Sequence, residues 1–79
     1  MSPTIFRQGQ YRFYFNSREE SRMHVHIETP DGEAKFWLEP RIEVALNLGL
    51  SNAQLKTALD LVTLHREEIF YAWHKHFGS

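Results

Sequence analysis

Seventy-nine residues without a cysteine make one small domain, residues 1–79, and exclude both a disulfide framework and a thiolate metal site. A formal charge of −1 excludes a global pull toward nucleic acid or an anionic membrane, so contact with a polyanion falls to a local patch. The opening Met-Ser-Pro-Thr-Ile-Phe-Arg has no apolar signal-peptide core and no apolar run nears the length of a membrane span, so the expectation is a soluble cytoplasmic protein with no membrane contact.

Thr4, Ile5 and Phe6 suit an edge strand, and Gln8-Gly9-Gln10 suits a tight turn. From Tyr11 the chain alternates: Tyr11, Phe13 and Phe15 point one way, Arg12, Tyr14 and Asn16 the other. Residues 17–22 are polar and charged and read as a solvated loop, flexible at its tip.

Residues 23–39 then carry two alternating runs around Pro30-Asp31-Gly32, the pattern of a β-hairpin. Pairing Thr29 with Ala34 sets Ile27 against Phe36 and Val25 against Leu38 on one side. The other side then pairs Glu28 with Lys35, His26 with Trp37, and His24 with Glu39. A slip of one residue would mix the two sets. Pairing Phe13 with Val25 adds Arg12 and Tyr14 to the polar face, opposite His26 and His24. Pro40 ends the fourth run, and Ile42, Val44 and Leu46 suggest a short fifth strand.

After Leu50 the period changes from two to 3.6. Ser51 and Gln54 fit a capping box, and Leu50 with Leu55 fit the hydrophobic staple around it. Leu55, Ala58, Leu59, Val62, Ile69, Trp73 and Phe77 fall within a narrow arc, and Gly78 suits the C-terminal cap. One helix over about residues 52–77 would be roughly 39 Å long at about 1.5 Å per residue. That is longer than a small sheet is wide at about 4.8 Å per strand, so an overhang or a diagonal packing is expected. The fold class is α+β: about five short antiparallel strands within residues 4–46, then one long C-terminal helix covering one face. Leu64 and Tyr71, with Leu61 at their edge, project away from the core stripe and form a candidate partner-binding strip.

The polar sheet face is where chemistry is to be sought. His24-Val25-His26 points two imidazoles the same way, with Glu28 or Glu39 as a third ligand, which offers a metal an incomplete ligand set. Histidine also serves in general acid–base catalysis near neutrality. Arg12 and Lys35 could hold a phosphorane-like transition state, while Tyr14 or Trp37 could stack a base. His24, His26, Arg12 and Lys35 are thus candidate catalytic groups of a metal-free ribonuclease, needing no cofactor. The same residues also make an ordinary solvated face with cross-strand ion pairs. No serine sits in a nucleophile elbow and no glycine-rich phosphate loop is present.

Several short runs together resemble one family: Pro3-Thr4-Ile5-Phe6-Arg7, Tyr11-Arg12-Phe13, His24-Val25-His26, Ala34-Lys35-Phe36-Trp37-Leu38-Glu39-Pro40, and Trp73-His74 before Phe77. They look like the small bacterial family called domain of unknown function 4160, over nearly the whole chain. Arg22-Met23 stands where that family is expected to have Pro-Pro, which leaves the conformation of residues 17–22 open. The resemblance implies a cytoplasmic bacterial protein encoded beside a second small family, domain of unknown function 2442, in a layout like a type II toxin–antitoxin module. This family would be the toxin half. The expected partners are therefore a small protein from the same operon and RNA, with oligomerisation left open. Two alternatives stand beside the RNA-directed toxin: a non-catalytic protein-binding or assembly module, and a His-x-His metal-binding protein.

Overall fold

A computed structural model describes residues 4–16 and 22–78. They form five strands, β1 (Thr4–Gln8), β2 (Tyr11–Tyr14), β3 (His24–Thr29), β4 (Gly32–Trp37) and β5 (Glu43–Leu48), then α1 (Asn52–Leu64) and α2 (Arg66–Phe77). The sheet is antiparallel in the order β1-β2-β3-β4-β5, so every strand lies beside its neighbour in sequence. The α+β architecture is as expected, but the fifth strand runs on to Leu48 and the helix is divided. Of the expected loop over residues 17–22, all but Arg22 lie outside the described residues.

The hairpin has a tighter turn than the sequence pattern predicted. Thr29 lies opposite Gly32 rather than opposite Ala34, Ile27 opposite Ala34, and Val25 opposite Phe36. Only Pro30 and Asp31 therefore remain in the loop. No described non-glycine residue has positive φ, so both have negative φ, as a type I turn with proline at its second position requires. The Thr29 hydroxyl accepts from the Asp31 amide at 3.1 Å, which closes the turn locally. The β2–β3 register is likewise two residues from expectation, with Phe13 opposite Ile27 and Tyr14 opposite His26. A shift of two leaves every side chain on its predicted face, but it changes every cross-strand partner. Glu28–Lys35 and His24–Glu39 are not opposed; Glu28 instead pairs with Arg12 at 3.1 Å.

One face of the sheet is the core. Tyr11, Phe13, Val25, Ile27, Ala34 and Phe36 are buried against Ala58, Leu61, Val62, Ile69 and Trp73 of the helices. Each large apolar side chain buried there is worth about 1.5–3 kcal/mol. The stripe predicted on the helix is all used: Leu55, Leu59 and Phe77 pack at its margins.

The start of α1 follows its sequence signature. Ser51 Oγ accepts from the Gln54 amide at 3.1 Å, and the Ser51 amide donates to Gln54 Oε1 at 2.9 Å. Gln54 Nε2 also donates to Asp31 Oδ2 at 2.9 Å, tying the helix to the hairpin turn. That turn presses on the end of β5. A Cβ on Gly32 would collide with the Leu48 carbonyl, and one on Gly49, whose φ is +100°, would lie 2.7 Å from the Asp31 carbonyl. Ser51→Ala is expected to cost about 1 kcal/mol of stability. Chemical denaturation reads this directly, and an unchanged midpoint would show that the cap contributes nothing.

The expected single helix is interrupted at His65, with φ −100° and ψ 19°. Just before it, the Thr63 hydroxyl donates back to the Leu59 carbonyl at 2.9 Å, a bond that bends helices. The His65 ring is held from outside the helix, 4.3 Å from the Phe6 ring and with Nε2 3.3 Å from Gln8 Oε1. The break removes the length mismatch. A straight helix would be about 39 Å, whereas the fold extends 33 × 27 × 20 Å.

Strand β5 also departs from simple alternation. Lys35 lies opposite Leu46 but Phe36 lies opposite Val44, so Ala45 is an extra residue in β5. Val44 therefore shares the Phe36 side, while Leu46 and Leu48 face the other way with Lys35 and Glu33.

Candidate functional site

The outer face of the sheet is a set of cross-strand rows. Arg7, Arg12, Glu28, Glu33 and Leu48 form one; Thr4, Tyr14, His26, Lys35 and Leu46 the next; His24, Trp37 and Glu43 the third. All six sequence-predicted sheet residues, Arg12, Tyr14, His24, His26, Lys35 and Trp37, thus share this face. They are not equally accessible.

Among the described residues, three neighbours hold Arg12. Its Nε donates to Thr4 Oγ1 at 2.8 Å, its Nη1 to Glu28 Oε1 at 3.1 Å, and its guanidinium carbon lies 4.5 Å from the Tyr14 ring centre. Tyr14 is buried beneath this cover, with the half-buried His26 ring stacked on it at 5.2 Å. His26 Nε2 lies 3.4 Å from Asn16 Nδ2; an amide NH2 can only donate, so this ring nitrogen accepts. At the other end Trp37 is half-buried between cations, with the Arg22 guanidinium carbon at 4.1 Å and Lys35 Nζ at 4.5 Å from its ring centre.

His24 is fully buried, at 0 % exposure. Its ring lies 5.1 Å from His26, 5.8 Å from Trp37 and 5.2 Å from Trp73 of α2. Its Nδ1 is 2.7 Å from the Arg22 carbonyl, which can only accept, so Nδ1 carries the proton. The sequence pattern placed His24 on a solvated face; instead α2 reaches round the end of β3 and covers it. His24 and Tyr14 support the surface from beneath, and His26 is the histidine of the pair that reaches solvent.

Among the described residues no group of three His, Cys, Asp or Glu stands close enough together to hold a metal ion. Of the two expected third ligands beside His24 and His26, Glu28 is engaged with Arg12 and Glu39 accepts from the Met23 amide at 3.3 Å. The helical strip is also corrected. Leu61 is 8 % exposed because it shares the core side of α1 with Ala58 and Val62. Leu64 and Tyr71 are exposed, at 73 % and 69 %.

Sequence reasoning missed three features. Arg22 lies before β3, as expected of the loop, but its guanidinium reaches back over Trp37 on the outer face. Val44, Leu46 and Leu48 are all exposed on β5, a strand at the end of the sheet order. A cavity of ≈ 360 Å³ opens where the β1–β2 and β3–β4 turns meet, and its lining includes Arg7, Gly9, Gln10, Arg12 and Glu28. None of the described helices is long and apolar enough to cross a membrane.

A family model described as "Domain of unknown function (DUF4160)" matches residues 10–74, a span that holds all of the outer-face residues above except Thr4 and Arg7. No curated protein and no solved structure matches the chain.

Proposed function

The chain belongs to the DUF4160 family, and from that premise we propose that it contacts single-stranded RNA through its outer sheet face, as one subunit of a small toxin–antitoxin-like pair. The observation that carries this reading is the half-buried Trp37 with Arg22 and Lys35 both within 4.5 Å of its ring centre. Aromatic planes interleaved with cations on a sheet suit splayed-out bases and the phosphates that join them. In this reading a base displaces one of the two cations from the Trp37 ring and stacks in its place, Arg22 and Lys35 turn to its phosphates, and Arg12 extends the cationic track. In the same reading His26, half-buried and stacked on Tyr14, moves a proton if the strand is cut.

Fluorescence anisotropy with a short unstructured RNA oligonucleotide tests the reading. Trp37→Ala is expected to lose about 1–3 kcal/mol, roughly 5- to 150-fold in affinity. Lys35→Ala is expected to lower the slope of log K against log salt by about one. Equal affinity of the Trp37 variant and the wild type would sink the proposal.

A second reading, a protein-docking module without chemistry, has its own support. Val44, Leu46 and Leu48 lie exposed on a sheet edge, and an apolar edge strand is a template for another chain. Absence of RNA binding at low salt, together with loss of the operon partner in a Leu46→Lys/Leu48→Lys variant, would favour it.

A further inference from the structure

We infer that the cavity at the turn end of the outer face binds a phosphate group, clamped between Arg7 and Arg12. Arg7 and Arg12 are directly opposed on β1 and β2, and like charges in that relation repel. Glu28 supplies one carboxylate, 3.1 Å from Arg12 Nη1. The lining holds two guanidiniums and one carboxylate, with Glu33 next to Glu28 in the same row, and Arg7 is its cation with no ion pair among the described residues.

The two arginines are suited to different parts. Arg12 is pre-positioned by Thr4, Glu28 and Tyr14, so it offers a fixed edge. Arg7 is exposed on the outermost strand and has no ion-pair partner among the described residues, so it can close over an arriving anion. A planar guanidinium matches two oxygens of a phosphate at once. The size of the cavity, ≈ 360 Å³, is within the range of small-molecule sites and larger than a bare anion needs. It therefore has room for a sugar attached to the phosphate.

The site is separate from the Trp37 cluster. Glu28 lies opposite Glu33, four residues before Trp37 on β4, which is about 13 Å along a strand. One RNA strand running along β4 would reach both, and in that form the inference rests on the RNA reading. A small phosphorylated molecule would use the same clamp without it.

Titration calorimetry at low salt, with inorganic phosphate and with a short single-stranded RNA, separates these cases. Arg7→Ala is expected to weaken phosphate binding by about tenfold or more, the loss of a charge-assisted contact, and to leave thermal unfolding unchanged. Glu28→Gln is expected to tighten phosphate binding by removing the competing carboxylate. Arg7-dependent phosphate binding without RNA binding would uphold the clamp, assign it to a small phosphorylated ligand and end the RNA reading. RNA binding that needs Trp37 but not Arg7, with no binding of phosphate, would overturn the clamp and leave the RNA reading standing. If the wild type binds neither, both fall.

Discussion

Replacing Phe13 with alanine is expected to remove a large share of the stability of the fold, about 3–5 kcal/mol. The ring is fully buried and lies opposite Ile27 in the middle of the core face. It stacks on Phe6 with ring centres 4.3 Å apart and planes 12° from parallel. Phe6 in turn lies 4.3 Å from the His65 ring at the helix junction, so one side chain supports both an edge strand and the place where the helix breaks. A domain of 79 residues has roughly 4–12 kcal/mol in total, at about 0.05–0.15 kcal/mol per residue. Each kcal/mol moves the midpoint of a domain this size by about 4–8 °C. Thermal unfolding followed by circular dichroism should therefore show a fall of roughly 12 °C or more. Phe13→Leu, which keeps much of the volume, should cost less. A fall below about 5 °C for the alanine variant would mean that the Phe13–Phe6–His65 stack is not a supporting element.

The reason this stack could not be foreseen shows where sequence reading stops. Which face each strand residue takes is a matter of parity, and parity is local: Phe13, Val25, Ile27 and Phe36 alternate with Arg12, His24, His26 and Lys35 whatever the register. The start of α1 is equally local, since Ser51, Gln54, Leu50 and Leu55 are all within five residues of one another. The register was not legible, because hairpins with two-residue and four-residue loops preserve the same faces and differ only in how tightly Pro30 and Asp31 turn. The break at His65 has no proline or glycine to announce it. Two of its holders, Phe6 and Gln8, come from the other end of the chain, and only Thr63 and Glu68, which lies 3.0 Å from His65 Nδ1, are local. The same cause hid the burial of His24: its cover is Trp73, forty-nine residues away. Of the outer face, then, membership was legible and accessibility was not, because accessibility depends on contacts from other elements: Arg12 and His26 over Tyr14, and Trp37 and Trp73 of α2 around His24.

That distinction decides how the histidines must be tested. His24→Ala is expected to destabilise the fold by about 2–4 kcal/mol, in the manner of other large-to-small changes at buried sites. It would leave a cavity between His26, Trp37 and Trp73 and an unpaired Arg22 carbonyl. His26→Ala, at a half-buried site stacked on Tyr14, is expected to cost no more than about 1 kcal/mol. A variant lacking both rings would mix a loss of stability with any loss of chemistry. The informative comparison is growth of a bacterial host expressing the wild type, His26→Ala or His24→Ala, with melting curves for each purified protein. If the face cuts RNA through His26, the wild type arrests growth, and the His26 variant melts close to wild type yet does not. Arrest by a well-folded His26 variant would leave binding through Trp37 and its cations as the basis of action, with no proton transfer required of this ring. A His24 variant that melts with the wild type would contradict the packing itself, since a ring enclosed by two tryptophans and a second histidine cannot be deleted without cost.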